Sequence, residues 1–294
     1  MIHHFILTRF ALNLWKKEKH GRNIDRRKWL EERLGLFEEF CLPSILAQKG
    51  SHGGDDSVKR TWVLLCEHGI DDDLVHEKMA SYKSRCEDIH PVMIKEGNGW
   101  RFAEVFQQVV TDLLIKENTM NGDLCLTTYL DNDDCLASDY SERIYDIAVN
   151  PAEYNADVHK GENFFIAFDY GFQLFTEIGV KTRVRYANNH FMTLCETVRC
   201  SSQEPASVNS YMPIRTCFGY GSHFLLEKNG LAKVIHIENR ELPMWTEVVH
   251  GCNVDNDVKM TFDTKIIEGP RLKFYARALK QIWRRGVCKL KIKI

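Results

Sequence analysis

Three carboxylates fall within four positions at Asp131-Asn132-Asp133-Asp134, directly after the apolar run Leu124-Cys125-Leu126-Thr127-Thr128-Tyr129-Leu130. Like charges gathered at the end of a buried segment are costly unless they meet water, a basic group or a cation. A divalent ion such as Mg2+ or Mn2+ answers this well, because a hard cation takes oxygen ligands and leaves positions for the phosphates of a nucleotide diphosphate. The chemistry expected there is Lewis-acid stabilisation of the charge on a departing diphosphate. The alternative is a solvated loop with helix-capping acids, since acidic doublets alone are common. An EF-hand loop is excluded, because its fifth position would be Cys135 and its glycine is missing.

The elements that must hold these acids follow from the hydrophobic pattern. Residues 3–8 form a β-rich run followed by Arg9 and Phe10, which predicts a buried strand with its polar C-terminal end toward a ligand. Residues 11–25 lack periodicity and predict an exposed loop. Trp29, Leu30, Leu34, Phe37 and Phe40 recur at helical spacing, so 26–40 predicts an amphipathic helix that ends before Pro43. After a Gly- and Asp-rich turn at 50–59, residues 61–66 predict a second buried strand closing on Glu67. Strand, helix, strand is the unit of a parallel sheet.

A helix over 74–86, a strand over 90–95, a helix over 101–117 and a fourth strand over 124–130 follow, with the acids at the tip of the last. Beyond them the pattern predicts a helix over 138–149 and antiparallel strands within 163–186. A short helix in 190–200 carrying Glu196, a polar loop at 201–215 and a strand at 233–237 come next. Val248-Val249-His250-Gly251 reads as a strand ending in a turn that Asn253 would line.

Length and composition set the class. A chain of 294 residues with 44% apolar content can bury a sizeable core, and no run approaches the roughly 18 uninterrupted apolar residues of a membrane span. The N-terminal Met1-Ile2-His3-His4-Phe5-Ile6-Leu7 lacks a basic n-region and a cleavage site, so it reads as the first strand. Ten cysteines without a C-x-x-C pair imply free thiols and a reducing, cytoplasmic compartment. The net charge of −2 hides an asymmetry: nine Lys and Arg and no acid lie from Arg271 onward, which leaves 30 basic against 41 acidic residues, or −11, in 1–270. A cation suits the body, and no nucleic-acid partner is expected.

Several short motifs then occur in one order: Thr8-Arg9-Phe10, the helix from Trp29-Leu30 through Arg33 to Phe37, Cys41-Leu42-Pro43-Ser44 with Gln48, Thr128 to Asp134, Asn189-His190-Phe191-Met192 with Glu196, and Trp245 through His250-Gly251 to Asn253. Over roughly residues 3–260 this series resembles the rhamnosyltransferase family of bacterial glycosyltransferases. The resemblance implies a glycosyltransferase A-type fold, an α/β mixed sheet flanked by helices. It would hold a nucleotide-binding half with a D-x-D metal motif at 1–135, an acceptor half at 136–262 and a basic helical extension at 263–294. Tyr129 stands where the family's T-R-L-D-N-D-D pattern has an arginine, and a tyrosine cannot pair bidentately with phosphate.

On this reading Asp131, Asp133, Asp134 and His250 are the expected ligands of Mn2+ or Mg2+, although His250 reads equally as a satisfied core histidine. Asp131 also serves the donor, with Thr8, Arg9 and Glu67 at the tips of the first two strands and Arg33 on the first helix. An inverting transfer needs a carboxylate to take the acceptor proton; Glu196 is the first candidate, with Asp169 and Glu247 as alternatives. Trp245 and Tyr170 are candidates to stack on a sugar face, against a plain core role. The expected partners are a nucleotide-diphosphate sugar donor and a glycan or lipid-linked acceptor. The basic tail, with Leu272, Tyr275, Leu279, Ile282 and Trp283 near helical spacing, is expected to touch the inner face of the membrane or to pack as a terminal helix. The competing functions are a non-catalytic sugar- or nucleotide-binding protein of the same fold and a metal-dependent phosphohydrolase.

Overall fold

The computed structural model describes residues 1–14, 25–49, 57–159, 161–177, 179–200, 214–250 and 265–266. The loop expected at 11–25, the turn at 50–59 and the loop at 201–215 therefore fall partly outside the described residues. Gly251, Asn253, Cys252, Cys288 and the basic tail fall wholly outside them.

The β-rich runs expected at the start of the chain become β1 (Ile2–Ala11), β2 (Val58–Glu67), β3 (Ile89–Ile94) and β4 (Leu124–Tyr129), which lie side by side and parallel in the order β3-β2-β1-β4. Their near-continuous apolar sequence suits strands covered on both faces. One face carries Ile6, Phe10, Trp62 and Leu64 against α1 (Arg26–Leu36) and its continuation. The other packs Phe5, Leu7, Val63 and Leu65 against Phe106, Val110 and Leu114 of α4 (Phe102–Lys116). Each such fully buried side chain contributes about 1.5–3 kcal/mol.

The helix expected to end before Pro43 continues past it. After α1 the chain makes a π turn at Phe37–Cys41, closed by Leu42 N–H to the Phe37 carbonyl, and resumes as α2 (Leu42–Leu46). The wide turn lets Pro43, which has no N–H, sit in the first turn of α2, where no intrahelical donor is needed. The helix expected at 74–86 is α3 (Asp72–Arg85), with Asp71 accepting from Leu74 N–H as its N-cap.

Residues 190–200 do not form the expected helix. Thr193–Thr197 is a strand, β9, wedged antiparallel between β4 and β6 (Phe164–Phe168), and β10 (Lys233–Ile237) adds parallel to β6. Pairing on both edges overrides the local preference of this polar stretch. The seven strands run β10-β6-β9-β4-β1-β2-β3. Of the antiparallel strands expected within 163–186, β7 (Tyr170–Phe175) and β8 (Val180–Arg185) pair as such in a second sheet with β5 (Cys135–Leu136), β11 (Trp245–Val249) and β12 (Lys265–Ile266), while β6 belongs to the first. The remaining helices are α5 (Tyr140–Val149) and the short α6 (Pro151–Tyr154).

The two sheets meet at Trp245. Its ring is fully buried, stacks on Phe191 with centroids 4.9 Å apart and donates from Nε1 to the Phe168 carbonyl at 2.8 Å. It is a core residue and not the exposed sugar platform considered above. A Cβ at Gly171 would overlap this ring. Gly171→Ala is therefore expected to lower unfolding stability by about 3 kcal/mol, read as a lower denaturation midpoint in urea.

Candidate active site

The acidic segment leaves the C-terminal end of β4, and the ordered motifs converge on it. Asn132 Nδ2 donates to the Phe10 carbonyl at 2.6 Å, which ties the segment to the tip of β1. Arg9, one residue earlier, donates from Nη2 to Asp131 Oδ1 at 3.2 Å and to the Tyr129 hydroxyl. Arg33 on α1 reaches Asp133 Oδ2 at 2.5 Å, and Cys41 donates to the Asp131 carbonyl at 3.5 Å. Gln48 spans Ser44, Ala137 and Ser141, so α2 fixes the chain immediately after the acids.

From the other half, Val248 N–H donates to Asp134 Oδ1 at 2.8 Å, and His250 Nε2 bonds Asp133 Oδ2 at 2.8 Å. His190 Nε2 bonds Asp134 Oδ2 at 3.0 Å. Asn189 sets that histidine in place: its Nδ2 donates to the carbonyls of Phe168 and Tyr186 while its Oδ1 accepts from Phe191 N–H. Under the site, His4 bonds the Tyr145 and Thr128 hydroxyls, and Thr128 bonds Thr193. Burial, helped by Arg60, lowers the His4 pKa to about 3, so the ring stays neutral and knits β1, β4, β9 and α5 together.

The three carboxylates have different partners. Burial would raise the Asp133 carboxyl, but Arg33 and His250 outweigh it and hold the group ionised. Burial pushes the Asp134 carboxyl up, with Asp133 and Asp131 adding to the effect and His190 opposing it. For His190 burial acts downward, yet Asp134 and Asp131 prevail and raise its pKa. Ligand atoms of Asp131, Asp134 and His190 all lie within 4.8 Å of one another. Two carboxylate oxygens and an imidazole nitrogen at that spacing fit a divalent cation with positions left for other ligands. Asp133, also expected among the ligands, bonds both Arg33 and His250, the latter likewise an expected ligand.

Asp131 and His190 open onto a cavity of about 470 Å³, also lined by Arg9, Phe102, Tyr129, Gln173, Phe218 and Glu247. The Arg9 guanidinium lies over the Phe102 and Tyr129 rings, 5.0 Å from each centroid, and its Nε has no hydrogen-bond partner among the described residues. Tyr129 thus holds Arg9 through both its hydroxyl and its ring face.

Other expected site residues lie elsewhere. Thr8 is buried and accepts from Trp62 Nε1 at 2.9 Å. Glu67 accepts from the N–H groups of Asn13 and Gly97, both at 2.6 Å, and so braces two loops. Glu196, paired with Cys125 in the β4–β9 register, lies well down the strand from Tyr129. It accepts from Arg215 and Thr216 N–H and does not line the cavity. Asp169 is fully buried, bonding His236 at 2.7 Å and Arg185 at 2.9 Å, and neither it nor Tyr170 lines the cavity. Glu247, the third carboxylate considered, does line it, and accepts from Gln173 Nε2 at 2.6 Å.

The site thus sits on a parallel β3-β2-β1-β4 core extended through the antiparallel β9, with the acidic segment at the tip of β4. A family model described as "Putative rhamnosyl transferase" matches residues 7–258, and the chain belongs to this family of glycosyltransferases. No curated protein matches it. Similar solved structures include S. aureus TarS 1-349, at 8% identity and a TM-score of 0.35 over 84% of this chain and 60% of that one. The same TarS segment in complex with UDP gives 11% identity and a TM-score of 0.33 over 85% and 61%. A 4-diphosphocytidyl-2C-methyl-D-erythritol synthase gives 15% identity and a TM-score of 0.29 over 82% and 90%. The chain thus spans about three fifths of the TarS 1-349 structures.

Proposed function

We propose that the protein is a metal-dependent glycosyltransferase that moves a sugar, rhamnose on the family's description, from a nucleoside-diphosphate donor to a hydroxyl of a glycan or lipid-linked acceptor. The observation that carries this reading is the meeting of Asp131, Asp134 and His190 with Arg9 at one end of a cavity that has the carboxylate of Glu247 in its wall.

Asp131, Asp134 and His190 would hold Mn2+ or Mg2+, which when bound neutralises charge on the departing diphosphate. Arg9, fixed by Tyr129 and Asp131, binds donor phosphate. Asp133, ionised between Arg33 and His250, braces the acidic segment. Glu247, oriented by Gln173, takes the proton of the acceptor hydroxyl as that oxygen attacks the anomeric carbon. The basic tail holds the enzyme at an anionic membrane face, and liposome co-sedimentation of full-length against tail-truncated chains tests this.

The reading is tested by thermal shift with UDP-, dTDP- and GDP-sugars. At least one donor is expected to raise the midpoint in the presence of Mn2+ and not in EDTA. A donor that stabilises equally in EDTA would contradict the metal's part.

Loading the ion must also displace protons. His190 is held protonated by Asp134 and Asp131, whereas a ligand nitrogen has to be neutral. Adding Mn2+ to metal-free protein in weak buffer at pH 7 is expected to release about one proton per ion. Since protonation competes with binding, Mn2+ affinity is expected to rise about a hundredfold from pH 6 to pH 8. Affinity independent of pH would show that His190 is not a ligand.

A further inference from the structure

Past His190 the cavity runs on to an aromatic end, where the His223 ring lies 6.2 Å from that of His190. Tyr186, directly after β8, and Phe224, in the turn His223–Leu225, both line it, with ring centroids 5.9 Å apart and planes 34° from parallel. Phe224 is 52% exposed and its neighbour Leu225 40%, so apolar surface is left at the mouth beside a polar floor. His223 packs on Phe224 with centroids 4.0 Å apart, and its buried Nε2 has no hydrogen-bond partner among the described residues. A buried nitrogen in that state costs on the order of 1–3 kcal/mol until a partner arrives. Gln173 and Glu247, bonded to each other, supply further polar atoms to the same cavity.

Lys and Arg side chains are sparse in the described lining. Arg9 is the single Lys or Arg among the described lining residues, and it is engaged by Tyr129 and Asp131. Arg185, next to Tyr186 in sequence, is paired with Asp169 and Glu238, and Arg183 with Glu241.

We infer that this end is the acceptor subsite and takes a neutral pyranose ring, with the ring's C–H face on Tyr186 and Phe224 and a hydroxyl on His223 Nε2. Aromatic faces offer a sugar an apolar platform while polar groups at the rim read its hydroxyls. The inference rests on the glycosyltransferase reading and narrows its acceptor to an uncharged sugar unit, as against a polyol phosphate.

Saturation-transfer NMR in EDTA, with methyl α-rhamnopyranoside and glycerol 1-phosphate as separate probes, tests it without donor or metal. The rhamnoside's ring protons are expected to be saturated by the wild-type protein. Phe224→Ala and Tyr186→Ala are each expected to reduce that signal about fivefold and Phe224→Tyr to keep it. Phe224 is exposed, so its variants leave the core intact. Saturation of glycerol phosphate in preference to the rhamnoside would overturn the inference, as would an absent rhamnoside signal or one indifferent to both alanine variants. Failure of the glycosyltransferase reading registers elsewhere, as donor that is never turned over while the rhamnoside signal persists.

Discussion

Asp134→Asn is expected to cut sugar transfer by at least about a hundredfold with the fold intact, because it removes charge where an electrostatically assisted departure needs it. The substitution is informative because asparagine keeps an oxygen for Val248 N–H, so β11 stays anchored. Its partner His190 loses the carboxylate that holds its proton, and the cluster of two carboxylates and one imidazole is reduced to a weak ligand set. The check is an initial-rate measurement at saturating Mn2+ beside a urea melt. An enzyme with unaltered rate would remove Asp134 from the ion, and a collapsed melt would assign it to the fold instead.

Glu247→Gln is expected to lower kcat by about 10²–10³-fold and to flatten the acid limb of the pH–rate profile, because a positioned general base contributes on that scale. Glutamine retains the bond to Gln173 after an amide flip, so geometry is largely preserved and the loss falls on proton transfer. Glu196→Gln is the control. Its carboxylate accepts two backbone N–H groups away from the cavity, and kcat is expected to stay within about threefold of wild type while stability falls. The reverse ranking would restore Glu196 as the base and require the polar segment around Arg215 to move.

The comparison shows which physics a one-dimensional reading carries. Buried parallel strands announce themselves through continuous apolar runs, so β1, β2 and β4 and the tip position of Asp131 were legible. The helices carrying Leu30, Leu34 and Phe106 were legible from spacing. Thr193–Thr197 was not, because what makes it a strand is β4 on one edge and β6 on the other, partners brought together only by the fold. Pro43 misled for a related reason: the π turn that accommodates it has no local signature.

Within the site, sequence spacing separated Asp131, Asp133 and Asp134 by one or two residues but said nothing of which way each faces. Arg33 and His250 on one side and His190 on the other divide their roles. His190 stood in the ordered motif series, which was its only signal, since a histidine in a turn has no periodicity to betray it. Glu247 differs from Glu196 only in what surrounds it: the first borders a cavity and the second a backbone turn. Tyr129 had no role legible in the sequence, and in the fold Arg9 reaches its hydroxyl from the neighbouring strand.

The account stands most directly on what leaves the donor. Nucleoside-diphosphate release from UDP-, dTDP- and GDP-sugars, measured with Mn2+ and again in EDTA, is expected to appear for at least one donor and to vanish on chelation. Release of nucleoside monophosphate and sugar phosphate would make the protein a phosphohydrolase, and folded protein that binds a donor without turning it over would make it a binding protein. Either result would contradict the assignment of the Asp131–Asp134 segment as the floor of a sugar-transfer site.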